Sequence, residues 1–329
     1  MVDKKHKNYY CVEAENNYEL GFKLGKIFGE SLRKEVLKQK KNKDWQEKIK
    51  KAVSYFEATK KEFPQYIEEL KGCAESSGVD FLSLWALALE DELDDVEKCT
   101  SIITNNGLLI AHNEDWETSA KNNLSVLRKK IGKLTILELF YSFSLGGSSV
   151  SINSNGYLQA INTLTCSDKC VGVPKNIIAR WMSETSDPQG DFERIKKINR
   201  ASGYSHTIIS KEGRVLNIES TAKEQVLSTP DLPFVHTNHY LSALKNFNEN
   251  DVLHTSISRY KFAAGRVTGK MKGEELNKIV SDTSLGKNMS VFNERTIGRI
   301  IVDLNSKIAK VWLAREKNKG WVDYLFDFI

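Results

Sequence analysis

Several residues able to do chemistry stand where the sequence is otherwise apolar and β-prone. Cys99 opens such a stretch directly after a helical pattern, and two hydroxyl residues, Thr100 and Ser101, follow it. A thiolate attacks carbonyl carbon readily, although a free cysteine is also a common small buried hydrophobe. After the turn signal Asn105-Asn106-Gly107 a return strand ends in the polar run His112-Asn113-Glu114-Asp115-Trp116, so a hairpin carries that run back beside Cys99. Its plainer reading is a polar strand end with Asp115 as a cap. Asn162, inside Leu158 to Thr163, and Asn238, inside Val235-His236-Thr237-Asn238-His239-Tyr240, are asparagines in β-prone segments, where that residue is poor. Turn or edge positions account for them structurally. Chemically, each supplies an uncharged amide donor for an oxyanion.

The surrounding pattern says what must position these groups. Apolar residues from Asn17 to about Gln39 recur at three- and four-residue steps, Trp45 to Phe56 continues the period, Pro64 can open a third helix, and Phe81 to Leu93 reads as a fourth, largely buried one. The first ~95 residues are therefore expected to be mostly helical. Beyond Cys99 the expected strands are Leu134 to Phe140, Ser149 to Asn153, Leu158 to Thr163, Ser205 to Ser210, Val215 to Glu219, Ile297 to Leu304 and Ile308 to Leu313, besides the hairpin itself. Short turns between several of them imply antiparallel pairing. Helices are expected at Asn176 to about Glu184, near Arg259 to Val267, and at Gly273 to Ser281. This segregation indicates an α+β protein, and no repeat or linker divides it.

Composition narrows the function classes. With 48 basic and 43 acidic residues the net charge is only +5, which is no nucleic-acid footprint, and the run Lys38, Lys40, Lys41, Lys43 reads as a solvated loop. No apolar stretch approaches the roughly 20 residues that cross a bilayer and no signal core follows Met1, so a cytoplasmic protein without membrane partners is the default expectation. Five cysteines, an odd number in a long chain, suit free thiols; Cys166 and Cys170 have no nearby histidine or second cysteine pair, so no metal site is expected.

The residues resemble those of the penicillin acyltransferase-like autoproteolytic hydrolases. The likeness rests on Cys99-Thr100-Ser101, Asn113-Glu114-Asp115-Trp116, Asn155-Gly156-Tyr157-Leu158 with Asn162, His236-Thr237-Asn238-His239-Tyr240, Thr255-Ser256-Ile257-Ser258-Arg259, and the closing strands Thr296 to Leu304 and Ile308 to Leu313, in the family's order. The resemblance implies an Ntn-hydrolase fold, with two antiparallel sheets between helical layers, and an inactive precursor that cuts itself before the nucleophile. On that likeness residues 1–98 and 99–329 are the two pieces of one structural domain, and each remains the other's partner. Cys99 resembles the nucleophile, Asp115 the aspartate that orients it and Asn238 the oxyanion-hole asparagine; Asn162 resembles a second oxyanion contributor, and Arg295 an active-site arginine. The residue before the nucleophile is usually glycine in the family and is Lys98 here.

The implied activity is hydrolysis of a small N-acyl amine, N-acyl amino acid or short peptide-like conjugate, with no cofactor. The alternatives are acyl transfer with acyl-CoA as co-substrate and, from another class, an uncleaved binding protein. A new N-terminal amine, with a pKa near 7.7–8.0, would take the proton of a thiol whose free pKa is near 8.5.

Overall fold

The computed structural model describes residues 5–93, 99–248 and 250–329. Strand β1 (Tyr9–Ala14) precedes α1 (Asn17–Gln39), α2 (Trp45–Ser54), α3 (Phe56–Glu62), α4 (Pro64–Ser77), α5 (Phe81–Ala88) and α6 (Glu90–Leu93). The helix starts follow local chemistry. Asn16 caps α1 by accepting from the Glu19 amide at 2.9 Å, Pro64 opens α4, and Asp80 caps α5 at the Ser83 amide. Leu20, Leu24, Phe28, Leu32 and Val36 form the buried stripe of α1. That helix lies against α4 at close range: a Cβ on Gly21 would come within 1.7 Å of the Glu69 carbonyl oxygen.

Gly21→Ala must therefore push the two helices apart. It is expected to cost ~1–3 kcal/mol in denaturant melts, whereas Gly273→Ala, with no atom within 4 Å of the new methyl, should stay within about 0.5 kcal/mol of wild type. Equal stability of the two variants would refute the tight helix contact.

From Thr100 onward the chain is mostly β. The strands are β2 (Thr100–Thr104), β3 (Leu109–Asp115), β4 (Leu124–Ile131), β5 (Leu134–Tyr141), β6 (Val150–Asn153) and β7 (Tyr157–Thr163). Helices α7 (Lys175–Met182) and α8 (Pro188–Lys196) follow, then β8 (Tyr204–Ser210), β9 (Val215–Ser220), β10 (Gln225–Ser228) and β11 (Phe234–His236). Helices α9 (Asn250–Ala264) and α10 (Gly273–Val280) precede β12 (Thr296–Asp303), β13 (Ile308–Leu313) and β14 (Val322–Leu325).

Eight strands form one sheet in the order β1-β4-β5-β6-β7-β8-β9-β10, and six form the other in the order β11-β2-β3-β12-β13-β14. Among the described residues all pairings between these strands are antiparallel except β1 with β4, where the N-terminal segment adds a parallel edge strand. Helices α1 and α7 pack on the larger sheet, α9 and α10 on the smaller, and β2 meets β7 between the sheets, giving four layers, α/β/β/α. The expected α+β sandwich is therefore observed. The expectation of a mostly helical N-terminal segment did not include β1, and β4, α8, β10 and β14 were likewise not anticipated, whereas β11 falls on the β-prone segment that begins at Val235.

Candidate functional site

Strand alternation sorts the polar run of the hairpin onto two faces. Ser101 pairs with His112 and Thr100 with Asn113, so Cys99, Ser101, His112 and Glu114 share the face turned toward the larger sheet, and Thr100, Asn113 and Asp115 the opposite one. The hairpin thus brings His112 and Glu114, rather than Asp115, onto the side of the Cys99 thiol. Asn113 confirms the direction of the other face: its Nδ2 donates to the carbonyls of Val280, at the end of α10, and Val291.

Cys99 is only 2% exposed. Its backbone amide donates to Asn238 Oδ1 at 2.9 Å, and its carbonyl accepts from Arg259 Nη1 at 2.7 Å. Arg259, fully buried on α9, also donates to Thr100 Oγ1 at 2.8 Å and, through Nη2, to Asn238 Oδ1 at 2.8 Å. Asn238 is fixed from its other side, since Nδ2 donates to the Thr163 carbonyl and its own amide donates to Ser256 Oγ at 2.7 Å. The preceding His236 is anchored to Glu219 at 2.8 Å. Burial works to raise the Glu219 carboxyl, but that contact and the amide donors of Leu241 and Ser242 outweigh it and hold the group down at about 2. The loop after β11 is therefore held by several hydrogen bonds where it meets Cys99.

Among the described residues Asp115 has no hydrogen bond to Arg259 and acts on it through its charge. Its carboxylate accepts from Asn293 Nδ2 at 2.7 Å and Thr296 Oγ1 at 2.6 Å on the outer face of the sheet. Burial pushes the Asp115 carboxyl up to about 6, while the Arg259 charge and the two donors pull it down. Burial in turn lowers Arg259 from its usual value, and the charges of Asp115 and Cys99 oppose that change.

Asn162 comes from β7 in the other sheet. Its Oδ1 accepts from Ser101 Oγ at 2.8 Å, and its Nδ2 is buried without a hydrogen-bond partner. Arg295 takes a different place. Partly exposed, it lines a polar cavity of about 790 Å³ with Glu117, Thr118, Ser119, Thr255, Asn288 and Glu294. Its carbonyl accepts from the Trp116 amide, tying this cavity to the end of β3. The arginine bonded to Cys99 is Arg259, which sequence reasoning met as the last residue of a motif and the start of a helix but not as a site residue; its spacing after Thr255-Ser256 was the available signal. A second cavity, of about 520 Å³, lies at the far end of β3 by Leu109 and Asp303 and is remote from Cys99. Lys98 and the bond before Cys99 lie outside the described residues. Among the described residues no helix is long and apolar enough to cross a membrane.

A buried thiol between two sheets, flanked by amide and guanidinium donors, suits acyl chemistry. The chain belongs to the acyl-coenzyme A:6-aminopenicillanic acid acyl-transferase family, which it matches over residues 102–318. It is similar to β-alanyl-dopamine/carcinine hydrolase of Drosophila melanogaster, at 25% identity over 316 residues that cover 82% of this chain and 81% of the relative. Among solved structures, a mutant of conjugated bile acid hydrolase from Clostridium perfringens aligns at 12% identity with TM-score 0.43, over 70% of this chain and 97% of that one. Penicillin V acylase from Agrobacterium tumefaciens aligns at 14% identity with TM-score 0.44, over 66% and 83%. The chain is thus an enzyme of the amide hydrolase and acyltransferase class.

Proposed function

We propose that this enzyme hydrolyses a small N-acyl amine through a thioester on Cys99, after cutting its own Lys98–Cys99 bond. The observation that carries the reading is the clamp on the Cys99 backbone, amide to Asn238 and carbonyl to Arg259. A residue whose own nitrogen is held in this way keeps that nitrogen beside its thiol once the nitrogen becomes a free amine, and the amine then serves as the base. Thiolate attack on the substrate carbonyl places negative charge on oxygen. Two donors are available to hold it: the unpartnered Nδ2 of Asn162 and the second Nδ2 hydrogen of Asn238. Asp115 acts one step removed, by favouring the charged form of Arg259.

The cavity lined by Glu117, Glu294 and Arg295 is of a size that holds a small ligand, and its two carboxylates favour a substrate carrying an amine. The Drosophila relative, whose name specifies β-alanyl conjugates, points the same way for the acyl group. The family match keeps acyl transfer from a CoA thioester as the second reading, because both reactions share one acyl-enzyme and differ only in what resolves it.

Release of free amine from a panel of N-acyl amines, with and without acyl-CoA thioesters, tests the proposal: hydrolysis without thioester supports it, and turnover only with thioester favours the transferase. In the same assay Asn238→Ala is expected to lower kcat by roughly 10²–10³ with little change in KM. A change confined to KM would make Asn238 a substrate-binding residue instead.

A further inference from the structure

The face of the hairpin that carries Cys99 holds a buried polar chain for which the reading above has no use. Cys99 Sγ, a ring nitrogen of His112 and a carboxylate oxygen of Glu114 all lie within 4.8 Å of one another. His112 and Glu114 are wholly buried. His112 Nδ1 is 2.9 Å from Ser101 Oγ, and Ser101 spends its one hydrogen on Asn162 Oδ1. Ser101 therefore accepts from Nδ1–H, which leaves His112 Nε2 as the open nitrogen of a neutral ring. Nε2 sits 3.0 Å from Glu114 Oε2. The same carboxylate accepts from Tyr141 Oη at 2.9 Å and from Ser149 Oγ. For that contact to be a hydrogen bond a proton must sit between the two, on Nε2 or on Oε2. The Cys99 thiol lies within reach to supply it.

We propose that His112 and Glu114 form the acid–base pair that activates Cys99 in the uncut chain, when no free amine exists to act as its base. The inference rests on the self-cleavage proposed above and supplies the proton acceptor which that step lacks. His112 Nε2 takes the thiol proton, directly or through one water, and Glu114 stabilises the resulting imidazolium. The thiolate forms a bond to the Lys98 carbonyl carbon and the carbonyl electrons move to oxygen. When they return, the carbon–nitrogen bond breaks, the Cys99 nitrogen takes the proton held by His112, and the Lys98 acyl group is left as a thioester on Cys99. Water adds to that thioester, the carbon–sulfur bond breaks, and the Lys98 carboxylate and the Cys99 thiol are released. The other ionisable groups around this face are Tyr141, which donates to Glu114, and Arg259, on the Cys99 carbonyl with Asp115 behind it; both positive neighbours of the sulfur, Arg259 and the new imidazolium, favour the thiolate.

The test follows fragment formation by intact mass in freshly translated chain between about pH 6 and 8. His112→Gln is expected to slow cleavage by roughly 10²-fold or more, and Glu114→Gln, which keeps shape and loses charge, by about 10-fold with the pH profile moved upward. The ultraviolet thiolate band, read as the difference between the chain and Cys99→Ser, should persist at neutral pH in wild type and vanish in His112→Gln. Cleavage of both variants at the wild-type rate with the wild-type pH profile would overturn the proposal, as would a thiolate band unchanged in His112→Gln. Circular dichroism screens for misfolding, and if His112→Gln does not fold, Glu114→Gln decides alone. A wild-type chain that never cleaves removes the self-cleavage reading, while the thiolate band still reports whether the pair ionises Cys99.

Discussion

Replacing Cys99 by alanine is expected to leave a single uncut, inactive chain of 37.3 kDa, whereas wild type should resolve into two copurifying pieces. With 98 of 329 residues before the cut, proportional division gives fragments of about 11 and 26 kDa, and mass action holds them together wherever their interface is large. That interface is built into both core and sheet. Strand β1 pairs with β4 from Tyr9↔Val126 to Ala14↔Ile131, the Phe28 ring lies 5.6 Å from Phe140, and the Tyr66 hydroxyl donates to Glu184. The pieces should therefore separate only on denaturation. Cys99→Ser should cut slowly, because an alcohol is the weaker nucleophile. Intact mass before and after prolonged incubation, with amide hydrolysis measured on the same samples, checks this. A wild-type protein that stays whole and still hydrolyses amides would exclude the N-terminal-nucleophile mechanism.

How much of this was legible in the sequence depends on where the deciding information resides. Helix α1 was readable to its last residue, because both its apolar period and its Asn16 cap are local. The hairpin of β2 and β3 was equally plain, since Asn105, Asn106 and Gly107 all adopt the positive φ that their types favour. Strand β4 was hidden by Arg128, Lys129 and Lys130: Lys129 is buried against Glu138 at 2.5 Å, a pairing that no local pattern announces. Helix α9 begins at Asn250, well before the expected Arg259, because the hydroxyl-rich Thr255-Ser256-Ile257-Ser258 has little helical propensity and is held by contacts such as Ser256 with Asn238. Of the candidate site residues, the structure brings Cys99, Asn162 and Asn238 near one another. The faces of the hairpin were not read correctly, since a polar run of His112 to Asp115 looks like one cluster until strand parity divides it. Arg259 lay outside the expected site for a related reason, as a lone arginine among serines reads as surface and only the tertiary fold buries it.

That burial makes Arg259→Met the substitution with the largest expected effect on stability. The guanidinium is the cation that opposes the Asp115 charge, and it also satisfies the Cys99 carbonyl, Thr100 Oγ1 and Asn238 Oδ1. Removing the guanidinium strands those three buried acceptors and weakens the compensation of the Asp115 charge, at a cost of ~3–5 kcal/mol, and activity should fall below detection because Asn238 and Cys99 both lose their support. The pH dependence follows from Asp115. Its folded pKa, about 6, lies above the ordinary carboxylate value near 3.9, so the native state favours the protonated form. That contribution is fully present below about pH 4 and is lost as pH rises through about 6. Without Arg259 the carboxyl loses the charge that lowers it and rises further, which deepens the penalty on ionisation at pH 7–8. The stability gap between Arg259→Met and wild type should therefore shrink as pH falls from about 8 to 5, as Asp115 becomes neutral. The double variant Asp115→Asn/Arg259→Met should regain part of the lost stability at pH 8 and none of the activity. Thermal melts of wild type, Asp115→Asn, Arg259→Met and the double variant across that range check the coupling, and a gap independent of pH would show that Arg259 acts by packing rather than as the counter-charge of Asp115.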